Sequence, residues 1–315
     1  MEEEGLMMRS FYVITSLLMV LFFSGCAPKL TNAYSMLSYE VDPFKNKNSL
    51  SFGNEKSAKA VLVVPNVYHF TKKATVNENS FALIIGINKY KQNTSVEYAD
   101  VSALAFKQLA HKTFGVPNEN IITLLNDEAS SGQIKAKLEL IKELSEKEGN
   151  IYVYFAGHGV PGKDGATYLL PNDMSADAIH LESNLKLDNI YNSLAQAAAR
   201  DIFVFMDSCF SGKDDKGSLL YKGVAPVLKT KKVSLKSKKL TIFTAGKSTD
   251  FANDYKEKQQ RLFSYYLISE LAAGETNLRA IYANVKKKVK RISLMKGLGY
   301  KQIPQMYGNS KKRLH

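Results

Sequence analysis

Two polar segments sit directly after apolar runs, and each carries a side chain able to do proton-transfer or nucleophilic chemistry. One is Ala156-Gly157-His158-Gly159, which follows Ile151 to Phe155. The other is Asp207-Ser208-Cys209-Phe210-Ser211-Gly212, which follows Ile202 to Met206. A thiol is mostly protonated near neutral pH and reacts poorly. An imidazole beside it takes or balances that proton and later protonates a leaving amine. The glycines around His158 let a substrate approach the backbone, and the amides of Gly159 and Cys209 are candidates to hold an oxyanion. Taken singly, a cysteine after a buried strand is usually a small apolar filler, and a lone histidine is usually structural. The pair is more telling. Both follow apolar runs, both are bracketed by Gly or Ser, and they lie about 50 residues apart.

The elements that must position them alternate in type. Phe81–Ile87 reads as a buried strand by composition and length, followed by a helix over about 98–113 that Gly115 and Pro117 end. Strands are expected at 120–125, 151–155, 202–206 and 240–244, with helices near 130–146, 187–198, 261–273 and 277–293. Strands separated by helices imply βαβ units. The fold expected is therefore α/β, a three-layer α/β/α sandwich with a mostly parallel central sheet. In such sheets the site lies at the carboxyl ends of the strands, just after Ile87, Phe155, Met206 and Thr244. Neither a Gly-x-Gly-x-x-Gly fingerprint nor a phosphate-loop motif is expected, which puts a nucleotide-binding protein far behind.

The two motifs resemble the paired signatures of caspase-like and metacaspase-like peptidases. Three further segments are similar to that family: Phe81-Ala82-Leu83-Ile84-Ile85-Gly86-Ile87-Asn88-Lys89-Tyr90 to its opening strand, Tyr168-Leu169-Leu170-Pro171-Asn172-Asp173 to the stretch after its histidine, and Leu262-Phe263-Ser264-Tyr265-Tyr266-Leu267 to its late helix. The likeness spans roughly residues 80–308. It implies a cysteine endopeptidase with a polypeptide substrate and a catalytic dyad of His158 and Cys209. A second class to weigh is a catalytically silent domain of the same fold, acting as an interaction module; the intact His158 and Cys209 argue against it.

Cleavage preference rests on two acids. Asp207 stands two residues before the candidate nucleophile and Asp100 opens the first helix. In metacaspases the acids at these positions line the pocket for the residue before the scissile bond. The resemblance thus implies cleavage after Arg or Lys, in keeping with a buried cation's need for an anion. The plain alternatives are a helix N-terminal acid for Asp100 and a turn acid for Asp207. The Lys213–Lys239 loop holds nine lysines and reads first as a solvated loop; the resemblance, in which this region often carries an activation cut, gives self-cleavage by a Lys-preferring enzyme as the second reading. Metacaspases often need calcium, but Asp173, Asp177, Asp188, Asp214 and Asp215 form no compact ligand loop, and no metal or other cofactor is assigned.

At the N-terminus, Phe11–Phe23 is almost wholly apolar and too short to span a bilayer. Arg9 precedes it and Phe23-Ser24-Gly25-Cys26 follows. This is the layout of an export signal, and the small residues before Cys26 resemble the bacterial lipoprotein cleavage motif, in which the cysteine is lipidated. Glu2, Glu3 and Glu4 are out of place in such a signal, so Met7 or Met8 is the better start. Ala27 after the cysteine favours the outer membrane where a cell has one. The expected layout is a signal at 1–25, a lipidated N-terminus and linker at 26–79 with a short strand at Ala60–Val64, the peptidase-like domain at 80–308 and a basic tail at 309–315.

Composition agrees with a globular exported chain. There are 43 Lys and Arg against 30 Asp and Glu, a net charge of +13. That balance suits an anionic surface such as lipid; nucleic acid is not an expected partner. The run Lys286-Lys287-Lys288-Val289-Lys290-Arg291 reads first as a solvated helix face and second as a headgroup contact. The two cysteines, Cys26 and Cys209, sit in such different contexts that separate jobs are expected rather than a disulfide. The composition leaves the oligomeric state undetermined.

Overall fold

A computed structural model describes residues 64–65, 67–70, 75–214, 217–221, 235, 237–247 and 250–314. The export signal, Cys26, most of the linker with its short apolar run, and most of the Lys213–Lys239 loop lie outside the described residues.

Six strands form one sheet in the order β10-β7-β6-β3-β1-β2. β1 is Phe81–Gly86, β2 Ile121–Leu125, β3 Asn150–Ala156, β6 Asp201–Asp207, β7 Leu240–Thr244 and β10 Gln305–Tyr307. All neighbours are parallel except β10, which runs antiparallel to β7. The strands are apolar on both sides because both faces are covered. Strand period two sorts them cleanly. Ala82, Ile84, Tyr152, Tyr154, Phe203, Phe205 and Phe243 point into one core. Leu83, Ile85, Ile151, Val153, Phe155, Ile202, Val204, Met206 and Ile242 point into the other. The first core is aromatic: Phe106 stacks on Tyr154 with ring centres 4.5 Å apart, and Phe114 on Tyr152 at 4.4 Å.

Five helices among the described residues form the outer layers: α1 Ala99–Lys112, α2 Ser131–Glu143, α3 Leu187–Leu194, α4 Leu262–Ala272 and α5 Leu278–Met295. α1, α4 and α5 cover the aromatic core; α2 and α3 cover the other. The three-layer sandwich is thus the architecture. Helix starts are capped where the sequence offers a short polar side chain. Ser130 Oγ accepts from Gln133 N–H at 3.3 Å, and Asn277 Oδ1 accepts from Arg279 and Ala280 N–H. Asp173, one of the acids weighed for calcium, accepts from Ser131 N–H at 2.8 Å at the start of α2.

The strand order reverses at β1: the chain goes first to β2 on one side, then returns to β3 on the other. A crevice opens at the carboxyl ends of strands at such a point.

Several features differ from the sequence reading. α3 stops at Leu194, where the chain turns through Ala195, although the alanine-rich stretch after it suits a helix. A two-stranded hairpin, β4 Gly159–Pro161 with β5 Thr167–Leu169, follows the candidate histidine; three-residue strands carry no readable period. Gly157, Gly159 and Gly162 have the spacing of a dinucleotide fingerprint, yet they lead into β4 rather than a helix, so no helix N-terminus is there for a phosphate. Residues 309–314 are not a loose tail. Leu314 is buried, its N–H donates to Thr276 O at 3.0 Å, and Lys312 pairs with Asp201. An apolar side chain, an ion pair and backbone bonds to the start of α5 dock this lysine-rich stretch.

Candidate active site

The register of the sheet aligns the two chemical motifs. In the β3–β6 pair, Ala156 stands opposite Asp207. His158 and Cys209 each lie two residues beyond that pair, so adjacent strands deliver both to the same edge of the crevice. Gly157 N–H donates to Asp207 O at 3.4 Å, which carries the contact past the strand ends. Gly159 continues it. A Cβ there would overlap the ring of Phe210 and stand 2.7 Å from Ser208 Oγ. The residues on both sides of Cys209 therefore pack against the residue following His158, and only glycine fits between them.

The imidazole is buried and oriented by backbone. His158 Nε2 lies 2.9 Å from the carbonyl oxygen of Thr94. A carbonyl only accepts, so Nε2 carries the hydrogen and Nδ1 is the basic nitrogen of the neutral ring. Tyr90 supports the same residue twice. Its ring centre is 4.9 Å from that of His158, and its hydroxyl accepts from His158 N–H at 2.8 Å while lying 3.3 Å from Leu170 O. Gly157 makes room for this hydroxyl, which a Cβ would meet at 2.6 Å.

Cys209 is almost fully buried. Its Sγ is 3.4 Å from Lys213 O and 3.6 Å from Ser211 Oγ, so the turn after Cys209 wraps around its sulfur.

Both acids singled out in the sequence are buried near these strand ends. Asp100 Oδ1 accepts from Val101 N–H at 2.8 Å and faces Asn88 Nδ2 at 3.4 Å; Oδ2 accepts from Asn126 Nδ2 at 3.1 Å. Asp207 Oδ2 accepts from both the N–H and the hydroxyl of Ser264, at 3.0 and 2.6 Å. Its other oxygen is 3.8 Å from Arg261 Nε. The Tyr154 hydroxyl lies 2.6 Å from Ser264 Oγ. Burial first, and the Asp207 charge second, push that phenol well above its ordinary value.

Four residues of this arrangement have no role in the sequence reading. Thr94 acts through a carbonyl, which every residue has. Tyr90 and Ser264 fall within family-like segments without an assigned task. Arg261 leaves one usable signal, a cation at the head of an otherwise apolar helix. The cavity of about 240 Å³ lined by Lys89, Tyr90, Lys91, Asn126, Asp127 and Asn172 adjoins the site through Tyr90 but does not include the dyad. Among the described residues no group of three or more His, Cys, Asp or Glu side chains is arranged to hold a metal.

A mostly parallel six-stranded sheet between two helical layers, with His and Cys motifs after adjacent strands, defines a caspase-like α/β domain. The chain belongs to the caspase domain family, whose profile matches residues 79–315. Among solved structures, a protein from Geobacter sulfurreducens is similar at TM-score 0.53 and 17% identity, covering 74% of this chain and 97% of that one. Caspase-1 from Spodoptera frugiperda is similar at TM-score 0.50 and 16% identity, covering 80% and 94%. Likeness at this identity concerns the fold alone. No curated protein matches the sequence.

Proposed function

We propose that this domain is a cysteine endopeptidase that cuts after Arg or Lys, held by a lipid on Cys26 at the surface of the cell envelope. The observation that carries the reading is the shared register of His158 and Cys209, two residues beyond the paired Ala156 and Asp207, with Nε2 of the imidazole tied to Thr94 O. With Nε2 so engaged, Nδ1 takes the thiol proton. The thiolate attacks the scissile carbonyl carbon, and the negative charge moves to the carbonyl oxygen, where the amides of Gly159 and Cys209 receive it. Collapse breaks the C–N bond, and His158 gives its proton to the leaving amine. Water, deprotonated by the same imidazole, then hydrolyses the thioester. The preference for a basic residue rests on Asp100 and Asp207, two buried carboxylates near the strand ends, since a desolvated cation needs an anion.

The test uses the purified full chain in detergent under reducing conditions, with and without calcium. Fluorogenic peptides ending in Arg, Lys or Asp are compared. Cleavage after Arg or Lys at least about tenfold above Asp is expected, each tenfold being worth about 1.4 kcal/mol of transition-state discrimination. A folded, reduced chain that cleaves none of them would return the domain to the silent interaction module.

The anchor has its own test. Fractionation of cells making Cys26→Ser is expected to move the protein out of the membrane fraction and to abolish incorporation of labelled palmitate. Retention of both would overturn the lipoprotein reading.

A further inference from the structure

One basic side chain of the chain itself already lies against Asp207. Arg261 is 1% exposed and Asp207 is 0% exposed, with Nε 3.8 Å from Oδ1. The guanidinium also donates to two carbonyls, Glu97 O at 3.4 Å and Ala252 O. The Arg261 N–H donates to Ser102 Oγ at 2.9 Å. Glu97 and Ser102 bracket Asp100 at the entry of α1. The guanidinium is therefore held between the two elements that carry the two candidate pocket acids. A carboxylate with converging carbonyls is a donor-matched site for a planar five-donor cation.

The segment that presents Arg261 is short and conformationally costly. β8 Asp254–Tyr255 and β9 Gln260–Arg261 are two-residue strands. Between them Gln259 adopts φ 51°, in the left-handed region, which disfavours a side chain with a Cβ. Tyr98, immediately after Glu97, is likewise left-handed at φ 64°. Strained residues thus lie in both segments that hold the guanidinium, Gln259 before Arg261 and Tyr98 after Glu97, and such strain clusters at segments that change state.

We propose that Arg261 is an internal occupant of the basic-residue subsite, a latch that must leave Asp207 before a substrate Arg or Lys takes its place. The inference rests on the proposed preference for basic residues and adds the state of the resting site. A second cation beside Arg261 would be buried without an anion of its own at Asp207, so occupancy by the chain and by the substrate is exclusive. The resting chain then binds Arg peptides weakly while still cleaving them, and events that draw β9 away from α1 tighten that binding.

The test compares the full chain with its Arg261→Ala variant, using an Arg peptide, its uncharged citrulline counterpart, and agmatine, a guanidinium with no carbonyl to attack, as a non-cleavable probe in thermal melts. Removing the latch is expected to raise kcat/KM for the Arg peptide at least tenfold, mainly through KM, with the citrulline peptide unchanged. The probe is expected to raise the melting temperature of the variant and not of the wild type. A folded variant with wild-type kinetics and no response to the probe overturns the proposal and makes the pair purely structural, with Asp100 alone meeting the substrate cation. If neither protein cleaves any peptide while the probe stabilises only the variant, the subsite stands and the peptidase reading falls. Should Arg261→Ala not fold, Arg261→Lys decides. It keeps the charge but loses the forked contacts, so a smaller rise in the same direction is expected, and wild-type kinetics would sink the idea.

Discussion

Replacing Cys209 with alanine is expected to lower kcat for peptide cleavage by more than about 10⁴-fold with the melting temperature nearly unchanged. In the proposed mechanism the thiol forms the covalent intermediate, and an alanine there leaves no group to do so. The side chain is buried, but the substitution removes a single sulfur atom, whose contacts at 3.4 and 3.6 Å are weak ones. His158→Asn is expected to cost about 10²–10⁴-fold, the usual worth of a positioned general base. The asparagine amide is too short to reach Thr94 O in place of Nε2 and has no nitrogen that can accept the thiol proton. Because the two residues act in one step, the double variant is expected to be no slower than Cys209→Ala alone. Single-turnover kinetics on an Arg peptide measure all three. A Cys209→Ala enzyme with a tenth of wild-type activity would place the nucleophile elsewhere.

Asp207→Ala carries the largest expected loss of stability. It removes the carboxylate that faces the Arg261 guanidinium and receives both Ser264 donors. Both members of the ion pair are fully buried, so water cannot replace the missing partner. Breaking a buried pair from one side costs about 3–5 kcal/mol. For a domain of this size that is a fall of roughly 10 °C in melting temperature. Asp207→Asn is expected to lose less, since its amide oxygen still accepts from Ser264. The loss has a local route to the site as well, because Asp207 ends β6 two residues before Cys209 and joins it to the first turn of α4. A thermal melt of Asp207→Ala within 2 °C of wild type would show that the pair adds little to stability.

The strand ends were the legible part. Apolar runs of five to seven residues are strands in a sheet covered on both faces, and the polar residue types that follow them mark the edge where chemistry is done. His158, Cys209 and the sandwich all follow from that pattern. The short strands β4, β5 and β10 were not legible, because three residues are too few to show a period. Residues 309–314 are docked by buried Leu314, the Lys312–Asp201 pair and backbone bonds to the start of α5, in a stretch whose charge reads as solvated.

Asp207 and Arg261 make the same point within the site. The sequence singles out Asp207 as an acid two residues before Cys209 and draws no attention to Arg261. It contains nothing that joins two residues so far apart in the chain. That they share one buried ion pair follows from α4 packing on the aromatic face of the sheet with its first turn over the end of β6. Thr94 is the extreme case, since its part in orienting His158 is played by a backbone carbonyl that no residue identity encodes. Side-chain chemistry and hydrophobic period are local properties and can be read along the chain. Which charges neutralise each other, and which carbonyl faces which ring nitrogen, depend on long-range packing and are decided only in three dimensions.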